Sequence, residues 1–68
     1  MTVHTIEYND GGFVSFCFED LIAVSISNNS LDILPKGSYE FIRIGTDIDD
    51  YEIERLRKAW GKYTGEYI

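Results

Sequence analysis

Asp49-Asp50-Tyr51-Glu52-Ile53-Glu54-Arg55-Leu56-Arg57-Lys58-Ala59-Trp60-Gly61-Lys62-Tyr63 is the stretch in which the periodicity of the chain changes. Ile53, Leu56, Trp60 and Tyr63 recur at helical spacing with Ala59 beside them, which predicts one amphipathic helix over about 50–63. Asp49 is placed to cap it, and Glu52, three residues on, fits the partner position of a capping box. Asp49, Asp50, Glu52 and Glu54 open the segment. Arg55, Arg57, Lys58 and Lys62 close it, an order that complements the helix dipole at both ends. Glu54 and Lys58 form an i,i+4 pair in the favourable direction. Gly65 stops the helix and leaves a tail, Glu66-Tyr67-Ile68.

Upstream of this segment the apolar period is two. Strands are predicted over about 2–8, 13–18, 21–27, 31–34 and 39–44, separated by the turn signals Asn9-Asp10-Gly11-Gly12, Asn28-Asn29-Ser30 and Pro35-Lys36-Gly37-Ser38. Val14, Phe16 and Phe18 fall on one face of the second strand, with Phe13, Ser15 and Cys17 on the other. With apolar groups on both faces, this strand reads as central or as one side of a dimer interface. Glu19-Asp20 interrupts the pattern as a corner or bulge. Ile22, Val24 and Ile26 are then expected to face inward, and Arg43 to point away from Ile42 and Ile44. The short connections favour antiparallel hairpins. The expected fold is therefore a single small α+β domain, an antiparallel β-meander of four to five strands covered by one C-terminal α-helix. A small curled barrel is the nearest variant.

The chain has 68 residues and a formal net charge of −6, from six basic and twelve acidic side chains. Its hydrophobic content of 44% is too high for a disordered chain. A domain of this size buries only about 60% of its unfolded surface, so self-association as a homodimer is an expectation before any motif is read. One cysteine cannot form an internal disulfide, and one cysteine with one histidine cannot build the usual four-ligand zinc site. The N-terminal residues Met1 to Glu7 have neither the basic nor the apolar region of a signal peptide. The longest uncharged stretch, Leu21 to Leu31, falls well short of the roughly 20 apolar residues of a membrane helix. A cytoplasmic protein without cofactor or membrane attachment is expected.

Several residue constellations carry candidate chemistry. Cys17 and His4 could pair as nucleophile and base, but Cys17 lies among phenylalanines that disfavour a thiolate, and a packed, inert thiol is expected. Asp47-Ile48-Asp49-Asp50 superficially resembles a calcium loop. Counted from Asp47, the sixth position is Glu52 where glycine is required and the twelfth is Lys58 where glutamate is required, so no metal site is expected. Gly11-Gly12 is a turn, not a phosphate-binding loop. Arg55, Lys58 and Lys62 share one helix face, with Tyr51 a turn earlier, and form the one candidate nucleic-acid surface. The overall acidity argues against direct nucleic-acid binding.

Six acids, Glu7, Asp10, Glu19, Asp20, Asp32 and Glu40, accompany only Lys36 and Arg43 in the strand region. Such a surface suits a partner with a basic face. Tyr8, Tyr39, Tyr51 and Tyr67 exceed what the core requires, and tyrosine is favoured at interfaces. The expectation is a non-catalytic protein-binding module acting through Glu19, Asp20, Asp32 and Tyr39. By analogy of size and charge, its sharper form is an inhibitor of the kind phages and mobile elements deploy, blocking a basic nucleic-acid-binding site on a host nuclease or defence complex. The alternative is a homo-oligomeric regulator or accessory subunit that contacts nucleic acid through Arg55, Lys58 and Lys62.

Overall fold

The computed structural model describes residues 1–66; the tail residues Tyr67 and Ile68 lie outside the described residues. Strands β1 (Val3–Glu7) and β2 (Phe13–Cys17) form an antiparallel hairpin. A 3-10 turn, Phe18–Asp20, leads to β3 (Leu21–Ser27), β4 (Ser30–Pro35) and β5 (Ile42–Gly45), which form a second antiparallel sheet in that order. The helix α1 (Asp50–Thr64) closes the fold. The class is α+β, but the strands do not make one meander: they divide into sheets of two and three.

The division falls at Phe18. The alternation of β2 already places its ring on the inner face beside Phe16, its N–H makes the last ladder bond to the Thr2 carbonyl at 2.9 Å, and the 3-10 turn begins at this residue. Phe18 is 1% exposed and contacts the rings of His4, Phe16, Trp60 and Tyr63. Burying one phenylalanine between hairpin and helix contributes about 2–3 kcal/mol, and the 3-10 turn that follows ends the ladder before β3 begins.

The β3–β4 connection is a two-residue loop, Asn28-Asn29, between the paired Ser27 and Ser30. Both asparagines have positive φ, 49° and 62°, as a type I′ hairpin turn requires. The side-chain amide of Asn29 also donates to the Ile48 carbonyl at 2.7 Å and to Asp50 Oδ1 at 2.6 Å, while the Ile48 N–H donates to the Asn29 carbonyl at 2.9 Å. This turn thereby fixes the start of α1 and seats Ile48 in the core at 2% exposure.

Two irregularities change which side chains face inward. The pairing shifts between Leu21 and Ala23, so Ile22 is an extra residue opposite Leu34. Leu21 stays buried, Val24 and Ile26 pack on the core, and Ile22 is turned out at 55% exposure, against the expectation from strict alternation. A second shift pairs Leu31 with Gly45 and Asp32 with Arg43, leaving Ile44 as the extra residue. Ile44 packs on the core while Ile42 is half-exposed, so the two isoleucines are not equivalent. Gly45 is required at this point, because a Cβ there would lie 2.8 Å from the Tyr8 ring and 2.9 Å from Ile48. The last strand is also shorter than expected, and Tyr39 lies in the bend before it.

Helix α1 begins and ends where the sequence places it, give or take a residue. Asp49 Oδ1 accepts the Tyr51 N–H at 2.8 Å, and Gly65 ends the helix in the left-handed conformation at φ 81°. Ile53, Leu56 and Trp60 are buried, and Trp60 meets Phe18 edge-on at 5.1 Å. Tyr63 is 42% exposed, although its ring touches Phe18 and Trp60. Glu54 lies 3.9 Å from Arg57, the neighbour that the sequence did not single out.

Glu52 departs most from its expected role. It does not complete a capping box. Its carboxylate accepts the Glu7 N–H of β1 at 2.9 Å and is itself 7% exposed. Arg55 donates to Glu52 at 3.0 and 3.2 Å and, through the same Nη2, to the Thr5 carbonyl. The β1–β2 ladder explains why these backbone groups are available. Tyr8 N–H to Gly12 and Phe18 N–H to Thr2 set even-numbered residues as the hydrogen-bonded pairs of the hairpin. The N–H and C=O of Thr5 and Glu7 therefore point away from β2, and the helix supplies the acceptor and the donor that a third strand would have supplied.

Two stability changes follow. Trp60→Ala should lower the unfolding free energy by about 3–5 kcal/mol, and Glu52→Ala, which orphans the Glu7 N–H and one side of Arg55, by about 2 kcal/mol. Both are read from urea unfolding followed by far-UV circular dichroism.

Candidate interaction surface

In β4, Leu31 and Ile33 are buried, so Asp32 and Leu34 stand on the outer face of the three-stranded sheet. Ala23 is paired with Leu34, and the bulge adds Ile22 on the same side. Phe41, one residue before β5, continues the side of Arg43 and is 48% exposed. Ile22, Leu34 and Phe41 thus form an apolar patch at the end of the sheet where β3 starts and β4 ends. The connection from β4 to β5 carries Tyr39, whose side chain is fully exposed.

The acids rimming this patch differ in availability. Asp20 is exposed, and its carbonyl accepts the Lys36 N–H at 2.9 Å, which holds the end of the 3-10 turn beside the β4–β5 connection. Glu40, next to Tyr39, is exposed. Asp32 is bound by Arg43 through two contacts, 2.9 Å from Nε and 3.3 Å from Nη2. That pairing holds the Asp32 carboxyl below the usual carboxylate range and raises the guanidinium pKa further. Glu19 accepts the Thr2 N–H at 2.8 Å, which lowers its pKa, and so sits at the N-terminal strand instead. Of the four residues singled out from sequence, Asp20 and Tyr39 share one end of the sheet, Asp32 lies further along it in an ion pair, and Glu19 is tied elsewhere. Ile22 and Phe41 escaped the sequence reading. Only the bulge turns Ile22 outward, and the late start of β5 exposes Phe41.

The basic helix face is reduced. Arg55 is committed to Glu52 and the Thr5 carbonyl, leaving Lys58 and Lys62 exposed on the stripe. Tyr51 is also exposed, at 71%. Of the other tyrosines, Tyr8 is half-buried and donates its hydroxyl to the Ile44 carbonyl.

His4 and Cys17 form no catalytic pair. His4 is opposite Phe16 and Cys17 opposite Val3, so the two side chains project from opposite faces of the hairpin. Cys17 is half-buried rather than fully packed. Asp47, Asp49 and Asp50 do not converge: Asp49 caps α1 and Asp50 accepts from Asn29. Among the described residues no group of three His, Cys, Asp or Glu side chains is arranged to hold a metal, and no helix is long and apolar enough to cross a membrane.

Shallow hollows lie at two places among the described residues. One of about 380 Å³ lies between the start of β1 and the end of α1, walled by Val3, His4, Phe18 and Tyr63 with Lys62 at its rim. The other, of about 470 Å³, lies between the β1–β2 turn and the end of β5. His4 is 7% exposed and stacks on Phe18 at 5.5 Å; its Nε2 has no hydrogen-bond partner among the described residues. Burial, and then the nearby Arg55 charge, push its pKa below the ordinary 6.5, with Glu52 opposing.

No known protein family, curated protein or solved structure matches the chain.

The His4 environment gives a pH dependence of defined sign. The folded state disfavours the charged imidazole, whereas the unfolded chain protonates near the ordinary 6.5. Stability is therefore undiminished above that value and falls as the pH drops through it. Glu52, whose pKa is lowered by Arg55 and the Glu7 N–H, adds a second loss beginning below its ordinary 4.5. His4→Phe should keep the ring stack, remove the unpaired nitrogen and flatten thermal stability between about pH 7 and 5. An unchanged slope of melting temperature against pH in that variant would contradict this assignment.

Proposed function

We propose that the protein is a non-catalytic protein-binding module whose working face is the outer side of the three-stranded sheet. The observation that carries this reading is the apolar patch of exposed Ile22 and Phe41 with half-buried Leu34, at the same end of the sheet as Tyr39 and the uncommitted carboxylates of Asp20 and Glu40. An apolar centre with a charged rim is the usual anatomy of a protein interface. Exposed tyrosine supplies large contact area at low entropic cost. The acidic rim and the net charge of −6 select a partner with a basic surface. A nucleic-acid-binding site on a nuclease or a defence complex is such a surface. Inhibition by occupying it, as phage and mobile-element proteins do, is the specific form of the reading. Asp20 and Tyr39 carry the contact in this scheme. Asp32 shapes its border through Arg43, and Glu19 braces the N-terminus through Thr2.

Affinity capture by the tagged chain from source-cell lysate, with nuclease treatment, tests this. A stoichiometric protein partner should survive nuclease. Its retention should drop at least tenfold for Asp20→Lys combined with Tyr39→Ala, and stay unchanged for Lys58→Glu combined with Lys62→Glu. The reverse pattern, or loss of all partners after nuclease, would reject the sheet face and favour the helix.

A further inference from the structure

We propose that the free edge of β2 pairs with the same strand of a second copy, joining two hairpins into one four-stranded antiparallel sheet. Exposed strand edges are normally blunted by cover, bulges, proline or charge, and the other edges of this molecule are treated in that way. Two outward groups of β1, the Glu7 N–H and the Thr5 carbonyl, are taken by Glu52 and Arg55, and the helix covers that edge. The edge of β3 is broken by the bulge at Ile22. The edge of β5 carries Arg43, and its Ile44 carbonyl accepts the Tyr8 hydroxyl. Strand β2, Phe13-Val14-Ser15-Phe16-Cys17, has no charge, no proline and no bulge. The hydrogen-bonding parity of the hairpin directs the N–H and C=O of Phe13, Ser15 and Cys17 outward. The Cys17 carbonyl also opens the 3-10 turn Phe18–Asp20 and keeps its second lone pair; the other outward groups meet no partner among the described residues.

The strand suits its own copy for two reasons. The outward residues are symmetric about Ser15, so a two-fold axis through Ser15 pairs 15 with 15 and 13 with 17 and uses every outward group. Phe13, 70% exposed, then lies beside the half-buried Cys17 of the second copy on one face. On the other face the half-buried Val14 and Phe16 meet across the axis. Second, each copy carries a charge of −6, which opposes association wherever acids would meet; the pairing strand is neutral along its whole length. This inference does not depend on the three-stranded sheet's role in partner binding.

Sedimentation equilibrium over a range of concentrations should give a species of twice the 7.8 kDa chain mass. Ser15→Pro removes an outward N–H that the hairpin does not use, a position where an edge strand tolerates proline, and should weaken self-association at least tenfold while the circular dichroism spectrum stays folded. Phe13→Cys gives a second readout. Paired residues of this kind have Cα atoms about 5.5 Å apart, within the roughly 4.4–6.8 Å span of a disulfide. Under mild oxidation that variant should form a covalent dimer whose peptide map links position 13 to Cys17, whereas the parent chain stays unlinked. A parent chain that remains monomeric at the highest attainable concentration would overturn the proposal. So would a 13–13 or 17–17 link, no link at all, or a folded Ser15→Pro chain that dimerises as before.

Discussion

The contact of Glu52 and Arg55 with the outer edge of β1 is the constraint on which the arrangement of the molecule depends. A two-stranded hairpin is marginal by itself, and its outward backbone groups need partners once they are covered. The helix provides a carboxylate for the Glu7 N–H and a guanidinium for the Thr5 carbonyl, so it docks against the hairpin's edge as well as its face. Burying a carboxylate is expensive unless it is paired and hydrogen-bonded. Here Arg55 and the Glu7 N–H together meet that requirement. The pair orients α1, and with it Leu56 and Trp60, over Ile6 and Phe18.

This docking explains why two small sheets can replace one continuous meander. Phe18 gives up strand geometry and becomes the hub of an aromatic cluster that also contains His4, Phe16, Trp60 and Tyr63. The second sheet is tied in separately, through the Asn29 amide at the head of the helix and the Tyr8 hydroxyl at β5. The Asn29–Ile48 and Tyr8–Ile44 ties each run from a side chain to a backbone carbonyl of another segment, and Asn29 adds the Asp50 carboxylate. Such links let short strands with broken registers hold a fixed orientation without a continuous ladder.

Local signals made the class legible in the sequence. The change of period at Asp49, the cap at that residue, Gly65 and the Asn28-Asn29 turn each act within a few residues, and the structure uses them so. What the sequence concealed depends on contacts between distant residues. Glu52 and Arg55 read as a cap and a stripe because i,i+3 spacing places them on the helix but says nothing of the strand edge opposite. Ile22 read as core because one inserted residue reverses the parity of a strand, and period-two counting cannot detect it. The candidate face was legible to the same degree. Asp20 and Tyr39 lie at the same end of the three-stranded sheet, while Asp32 and Glu19 answer to Arg43 and Thr2, partners that no local pattern announces.

The net charge of −6 overstates the acidity offered to a partner. Asp10 holds the Gly12 N–H, Asp49 caps the helix, Asp50 accepts from Asn29, Glu52 closes β1, Asp32 is paired and Glu19 holds Thr2. These six carboxylates have work within the fold, and much of their charge is directed at local donors. Asp20 and Glu40 are exposed beside the apolar patch, where an incoming cation would find them with little reorganisation. In the proposed reading, recognition at this face would be anchored by Ile22, Phe41 and Tyr39, with Asp20 and Glu40 setting the sign of the partner. That arrangement favours a specific protein surface over generalised imitation of a phosphate backbone, which would need a continuous row of uncommitted acids.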